Sequence, residues 1–182
     1  MNRRAAFIIL STFAAATSSC GGPGITEPPA AAPETPGAAI TTDSLSYTLA
    51  RSSGGYYTIV ISMVYTNRHA FATQVSDCPA QQPPLLQRWS GTAWELAWQP
   101  PPAACTGLAT TVAPGAVLRL VEEVTGGLPP SRFIPIWYSV DPSGTHRAVW
   151  NVRRAPGSVS ESVPIPIEER VSNNFVVRFL GR

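Results

Sequence analysis

The chain has 182 residues, 44% of them apolar, and contains 14 glycines and 19 prolines. This composition excludes an intrinsically disordered protein and favours short strands joined by turns. The formal net charge of +2 includes Arg3 and Arg4, which lie in a segment that we expect to be removed. Taking these two from the 13 basic residues leaves 11 arginines against 11 acidic residues. The mature chain therefore has no basic excess, and we expect no nucleic-acid partner.

The first 19 residues have the order of a secretory signal peptide. Two arginines stand near the start, and residues 5–16 form an apolar run. A run of about a dozen residues is too short to span a bilayer core of roughly 30 Å. We therefore expect a signal peptide that directs secretion.

The junction at the end of this segment consists of Ser18, Ser19 and the following Cys20. It resembles the lipobox of bacterial lipoproteins. In that family the cysteine is acylated and becomes the first mature residue. The resemblance implies a lipid such as palmitate on Cys20, with the membrane as a partner. It also implies a place in the bacterial cell envelope, on the periplasmic or surface face of a membrane. Thr17 departs from the motif, which usually has leucine there, and ordinary cleavage after Ala16 is the alternative.

Residues 20–40 are rich in proline, alanine and glycine, and Glu27 and Glu34 are their only charges. Proline favours an extended polyproline II conformation, so we expect a disordered, semi-stiff spacer. The predicted organisation is a lipoprotein signal peptide at 1–19, a lipid-anchored linker at 20–40 and a folded domain at 41–182.

Alternating apolar and polar residues predict eight or nine short strands in the domain. Tyr56–Thr66 has the β-branched and aromatic content of a central strand. A strand over Phe133–Val140 contains Pro135 and should be an edge or bulged strand. His146–Val152 and Asn174–Leu180 are the last two strands. The spacing predicts an all-β fold, a two-sheet antiparallel β-sandwich of about seven to nine strands.

Cys78 and Cys105 form an even pair once Cys20 carries lipid. In an oxidising compartment such a pair predicts a disulfide. Closing the 27-residue separation would stabilise the fold by roughly 3–4 kcal/mol. A zinc site lacks ligands, because neither cysteine belongs to a C-x-x-C motif and the chain has two histidines. We expect no metal and no cofactor.

Three of the five tryptophans lie between these cysteines, on a predicted β-hairpin over residues 85–98. With a two- or four-residue turn around Ser90-Gly91, the tryptophans and two leucines share one face. A three-residue turn would reverse the face of one strand. On the first alternative the inward face carries Leu85, Trp89, Trp94, Leu96 and Trp98, and the solvated face carries Arg88 and Glu95.

The tryptophans have three interpretations. They fill the core under the disulfide, they anchor a protein interface, or they stack sugar rings. We favour the core. The candidate binding residues of the hairpin are Trp89, Trp94, Trp98, Arg88 and Glu95.

The order of motifs in the domain is also informative. A long strand ends at Thr66-Asn67, a Gly-x-x-Trp sequence follows at 91–94, and residues 112–115 read Val-Ala-Pro-Gly before another strand. This order resembles the immunoglobulin-like sandwiches of small bacterial lipoproteins. It is more loosely similar to the domain of the bacterial intracellular proteinase inhibitor. The resemblance covers roughly residues 42–180 and implies fold far more than function. The secretion signal departs from an intracellular inhibitor.

We find no motif of a known catalytic site. The chain has no G-x-S-x-G elbow, P-loop or G-x-G-x-x-G sequence. His69 and His146 adjoin turn residues, as surface histidines do, and we expect no catalytic residue and no enzyme. The expected function is a non-catalytic binding or structural module at the membrane surface, with an envelope or extracellular protein as partner. The alternatives are a secreted peptidase inhibitor acting through an exposed loop at 79–84 or 99–104, and a carbohydrate-binding module with tryptophan platforms.

Overall fold

The computed structural model describes residues 30–76, 84–100, 109–131, 135–155 and 163–180. These ranges contain eleven strands and a 3₁₀ turn at Ile167–Glu169. In chain order the strands are β1 (Ile40–Thr42), β2 (Ser46–Arg51), β3 (Tyr57–Thr66), β4 (Thr73–Ser76), β5 (Leu85–Trp89), β6 (Trp94–Trp98), β7 (Thr110–Val112), β8 (Val117–Gly126), β9 (Gly144–Val149), β10 (Asn151–Arg154) and β11 (Phe175–Phe179).

The predicted all-β, two-sheet sandwich is confirmed, and its described part has more strands than predicted. The segment His146–Val152, predicted as one strand, is split between β9 and β10, which belong to different sheets. Trp150 lies at the break, and its N–H donates to the carbonyl of Arg170 at 3.0 Å. The chain therefore crosses from one sheet to the other at this point.

The segment Phe133–Val140, predicted as a strand, does not form a regular strand in its described part. Its described part, residues 135–140, makes only isolated bridges, at Ile136 and Trp137. Pro135 has no N–H to donate to a ladder, which explains why regular pairing does not form there.

The larger sheet has eight strands. Its order is β8, β3, β2, β11, β9, β5 and β6, and β1 pairs with the half of β3 that β2 leaves free. Strand β3 is paired on both sides, as its β-branched content predicts, and its pairing with β8 runs along its full length. The pair of β2 and β11 is parallel, and the other pairs in this sheet are antiparallel.

The larger sheet curves until its two ends approach each other. Trp98 of β6 donates its indole N–H to the carbonyl of Thr125 in β8, at 3.0 Å. Between these strands the backbone N–H of Trp137 donates to the carbonyl of Gly127 at 2.9 Å. The smaller sheet, in the order β10, β4, β7, shares one hydrophobic core with the larger sheet. The two sheets supply to this core, among others, Val75, Val112 and Val152 from the smaller and Ile61, Trp98 and Phe175 from the larger.

The folded domain includes the end of the predicted linker. Strand β1 begins at Ile40, one residue before the predicted boundary, and both Ala38 and Ile40 are buried. The carbonyl of Ala39 accepts a hydrogen bond from the N–H of Thr66 at 2.8 Å. Residues 38–40 therefore belong to the sandwich.

Candidate functional site

The tryptophan hairpin consists of β5 and β6 joined by a four-residue turn. The N–H of Ser90 donates to the carbonyl of Ala93 at 2.9 Å, which closes the turn. Trp89 and Trp94 are direct cross-strand partners, and their ring centroids lie 5.5 Å apart. The parity predicted for a four-residue turn is therefore correct next to the turn.

A β-bulge changes the parity further along the hairpin. Gln87 pairs with Leu96, but Leu86 pairs with Trp98, so Ala97 is the extra residue of β6. A bulge places two consecutive side chains on one side of the strand, and both Ala97 and Trp98 are buried. The bulge thus turns Trp98 away from the face that holds Leu96.

The prediction that all three tryptophans of the hairpin share an inward face is wrong. Trp98 is 2% exposed and lies in the core. Trp89 and Trp94 are half-buried on the outer face, next to Leu96, which is 37% exposed. The sequence alone assigns inward and outward by alternation, and one extra residue is enough to separate the indoles.

Arg88 lies on the core-facing side of the hairpin and not on a solvated face, which corrects the prediction. Its cross-strand partner in β9 is His146, which is fully buried. Arg88 is half-buried as a residue, and its guanidinium donates to the carbonyl of Asp141 at 2.6 Å at the rim of the sheet. Its partner on β6, Glu95, is exposed as predicted.

His146 is a core residue, which corrects its interpretation as a surface histidine. Its Nδ1 lies 2.9 Å from the carbonyl oxygen of Gly144, so Nδ1 carries the proton and donates it. Nε2 is buried, with no hydrogen-bond partner among the described residues. Burial, with the positive charge of Arg88, lowers the pKa of His146 to about 4. The side chain is therefore neutral at pH 7.

The outer face of the hairpin carries a cluster that we call the outer tryptophan patch, formed by Gln87, Trp89, Trp94, Leu96 and Arg147. The Arg147 guanidinium carbon lies 4.3 Å from the centroid of the Trp94 ring, in a cation–π contact. The Nε–H of Arg147 donates to Gln87 Oε1 at 2.9 Å. Burial lowers the pKa of Arg147 from its very high usual value, and the group stays charged. The patch presents aromatic and cationic surface on paired strands.

Gln87 and Arg147 have no local signal that marks them as partners of the tryptophans. They meet because β5 and β9 are adjacent, and they are direct cross-strand neighbours 60 residues apart in the chain. Reasoning from the sequence named Arg88, the neighbour of Gln87, as the candidate binding arginine, because it assumed that the tryptophans face inward and Arg88 faces solvent.

Residues 30–37, which we call the strap, lie against the sandwich. Trp89 donates its indole N–H to the carbonyl of Ala30 at 2.7 Å, and the Asn174 amide donates to that of Pro33 at 2.9 Å. The strap is therefore held to the sandwich at two carbonyls, three residues apart. Arg68 holds the end of the strap through the carbonyl of Gly37. This part of the predicted linker is docked.

A second cleft lies at the turn after β3, and a buried asparagine builds it. Asn67 is fully buried, and its amide donates to the carbonyls of Phe71 and Val112, both at 2.9 Å. Its Oδ1 accepts the backbone N–H of His69 at 3.0 Å. These three bonds hold His69 and Phe71 in fixed positions at the surface.

We call this second site the Phe71 cleft. The His69 ring stacks on the Phe71 ring with centroids 4.7 Å apart, and its Nε2 lies 3.3 Å from Glu169 Oε2. The guanidinium carbon of Arg154 lies 4.6 Å from the centroid of the same Phe71 ring. The cleft has a volume of about 370 Å³, and residues 163–166 complete its lining.

The sequence does not indicate the Phe71 cleft. Its side chains come from four separate segments, at 67–71, 154, 163–166 and 169. The Thr66-Asn67 sequence that ends β3 is a local feature at the site, and it predicts a turn and not a cleft.

All three cysteines lie outside the described residues. The disulfide of Cys78 with Cys105 stays a prediction, as does the lipid on Cys20. The register of β4 with β7 pairs Val75 with Thr110, so the chain leaves and re-enters the smaller sheet at neighbouring positions. Most of the candidate loops at 79–84 and 99–104 also falls outside the described residues.

Two further properties concern the described ranges only. They contain no group of three or more histidine, cysteine, aspartate or glutamate residues placed to hold a metal ion. They also contain no helix whose length and apolar character would allow it to cross a membrane.

Comparison with known proteins gives one structural match. No family model matches the chain, and no curated protein matches it. The chain is similar to the X-ray structure of Northeast Structural Genomics Consortium target SoR45, at 9% identity and a TM-score of 0.30. The match covers 76% of this chain and 77% of that chain.

Proposed function

We propose that this protein is a non-catalytic binding module, anchored in the bacterial cell envelope by a lipid on Cys20. Its contact surface is the outer tryptophan patch, and its partner is an envelope or extracellular protein. The observation that carries the proposal is the contact of Arg147 with Trp94, at 4.3 Å. Tryptophan and arginine are the residues most enriched where protein interfaces concentrate their binding energy.

The backbone under the patch supports this proposal. Its residues lie on β5, β6 and β9, which are paired side by side in the larger sheet. The bond from Arg147 to Gln87 limits the rotation of the arginine side chain. A partner that binds there needs to immobilise little of the surface, which lowers the entropic cost of association.

The tilt of the indoles favours a protein partner over a sugar. The Trp89 and Trp94 rings are inclined at 60°, and Arg147 covers one face of Trp94. Trp98 is buried and does not extend the platform. A flat run of exposed rings, on which pyranose faces could stack, is therefore not formed by the three hairpin tryptophans.

Site-specific photo-crosslinking in intact cells tests the proposed surface. A benzophenone amino acid in place of Leu96 lies within the patch, at an exposed position. We expect a discrete crosslinked protein, and we expect its yield to fall in an Arg147→Ala background. Arg178→Ala, which changes an exposed arginine of β11, should leave the yield unchanged. A crosslink that is insensitive to Arg147→Ala would refute the patch as the contact surface.

Metabolic labelling with palmitate tests the anchor separately. The wild-type chain should incorporate label and partition with membranes, and Cys20→Ala should do neither. Cys78→Ser is the matched control, because it removes a different cysteine and should keep the label. Label that persists in Cys20→Ala would contradict lipidation at this position.

A further inference from the structure

We propose that the Phe71 cleft is a binding site for a carboxylate group carried by an apolar body. The site is separate from the outer tryptophan patch and is formed by different elements. The proposal therefore does not depend on the partner proposed for that patch.

The walls of the cleft suit an apolar body. The ring of Phe71 contributes to the lining, and residues 163–166 supply two prolines and a buried isoleucine. Its volume of about 370 Å³ lies at the lower end of the range of ligand pockets, which favours a small group.

The charges in the cleft favour an anion with one negative charge. The carboxylate of Glu169 is already engaged by His69, at 3.3 Å. The guanidinium of Arg154 stacks on Phe71 and has no carboxylate partner among the described residues. An arginine stacked in this way keeps its N–H edge free for the paired hydrogen bonds that a carboxylate accepts. A dianion such as a phosphate monoester would be repelled more strongly by the nearby Glu169.

The cleft is formed before any ligand binds. Asn67 fixes the turn that carries His69 and Phe71 through hydrogen bonds of 2.9–3.0 Å. On the other wall, the backbone N–H of Arg154 donates to the carbonyl of Val163 at 2.9 Å. Neither wall has to be ordered by the ligand, so a small ligand can bind without that cost.

Calorimetric titration of the full lipidated chain in detergent tests the proposal, with phenylacetate as the probe. We expect phenylacetate to bind, and phenylacetamide, its uncharged analogue, to bind at least about tenfold more weakly. Arg154→Gln should weaken phenylacetate by a similar factor. Arg178→Gln, which changes an exposed arginine on β11, should have no effect.

A second pair of probes identifies the source of the carboxylate. N-acetyl-prolyl-phenylalanine ends in a free carboxylate, and its amide is the matched control. Binding of phenylacetate indicates a free small acid, and binding of only the peptide acid indicates a chain terminus, and each supports the proposal. The proposal is overturned if neither acid binds, or if acids and amides bind equally well. It is also overturned if Arg154→Gln does not weaken binding, or if phenyl phosphate binds more tightly than the carboxylates. Crosslinking from residue 96 should be unaffected by Arg154→Gln, which separates this test from that of the outer tryptophan patch.

Discussion

Leu86 and Trp98 are direct cross-strand partners in the hairpin, and both side chains are buried. One strand position nearer the turn the paired residues lie on the outer face, because the bulge at Ala97 separates the two registers. The five residues of β6 therefore include both a core residue, Trp98, and residues of the outer face. Substitutions in its two halves should have different consequences.

Trp98→Ala should destabilise the fold by about 3–5 kcal/mol, since it leaves a large cavity and removes the bond to the Thr125 carbonyl. Trp94→Ala removes a half-buried ring of the outer tryptophan patch and should cost much less, about 1 kcal/mol. Urea unfolding followed by circular dichroism measures both changes. Equal losses of stability would contradict the assignment of the two rings to different faces.

Trp89→Phe should weaken the docking of the strap, which keeps its bonds to Asn174 and Arg68, and should keep the ring that packs beside Trp94. The substitution removes the indole N–H that donates to the Ala30 carbonyl, a bond of about 1 kcal/mol. A glutamate-specific protease should then cleave after Glu34 about fivefold faster, because opening precedes cleavage. Trp94→Phe is the control and should leave the rate unchanged. Equal cleavage rates for the two variants would show that the Trp89 bond does not hold the strap in place.

Asn67→Ala should destabilise the protein by about 2–4 kcal/mol. The substitution leaves the carbonyls of Phe71 and Val112 without their donor, and unsatisfied buried acceptors are costly. Asn174→Ala removes a single bond, to the strap, and should cost about 1 kcal/mol or less. Chemical denaturation compares the two variants. If Asn67→Ala were as stable as Asn174→Ala, the buried amide would not organise the turn.

Stability should fall as the pH is lowered from about 6.5 to 4, and His146 is the cause. Its folded pKa of about 4 lies below the 6.5 of an unfolded histidine, so the unfolded chain takes up the proton first. Above this window both states are neutral, and across it the loss approaches about 3 kcal/mol.

His146→Leu isolates this contribution, because leucine can occupy the apolar site but cannot titrate. Unfolding free energies at pH 7 and 4.5 should differ less in His146→Leu than in the wild type. Met63→Leu changes a buried residue that does not titrate, and should keep the wild-type difference. An unchanged pH dependence in His146→Leu would show that other groups cause it.

The predicted disulfide should account for roughly 3–4 kcal/mol of the stability of the protein. Cys78→Ser and Cys105→Ser should lower the unfolding free energy by the same amount, and reduction of the wild type should reproduce that loss. Alkylation of the unfolded, unreduced chain followed by mass measurement should detect no free thiol at either position. Alkylation of both cysteines would rule the disulfide out.

Local patterning was sufficient for the class of fold. The β-branched run of β3 and the spacing of turns predicted a sandwich with this strand in the interior of a sheet, and the structure pairs it with β8 on one side and with β1 and β2 on the other. The parity expected for a two- or four-residue turn also placed Trp89 and Trp94 correctly on the same face of the hairpin. These predictions succeed because they depend on residues that are neighbours in the chain, whose alternation a strand enforces.

The contents of the candidate sites required the tertiary structure. Arg147 lies over Trp94, and Arg154 over Phe71, because strands distant in sequence are placed side by side. The burial of His146 likewise follows from the position of β9 between β5 and β11. A sequence pattern cannot specify which strands are adjacent, because strand pairing is set by packing over the whole core.

The tryptophan hairpin shows both contributions in one element. The sequence by itself determined that residues 85–98 form two strands and a turn, and that indoles are concentrated there. Only the tertiary structure decided which indoles face inward, because a single extra residue, Ala97, reverses the alternation and the curvature of the larger sheet brings Trp98 against Thr125. The bulge at Ala97 directs Trp98 into the core, and that core exists only when the two sheets are assembled.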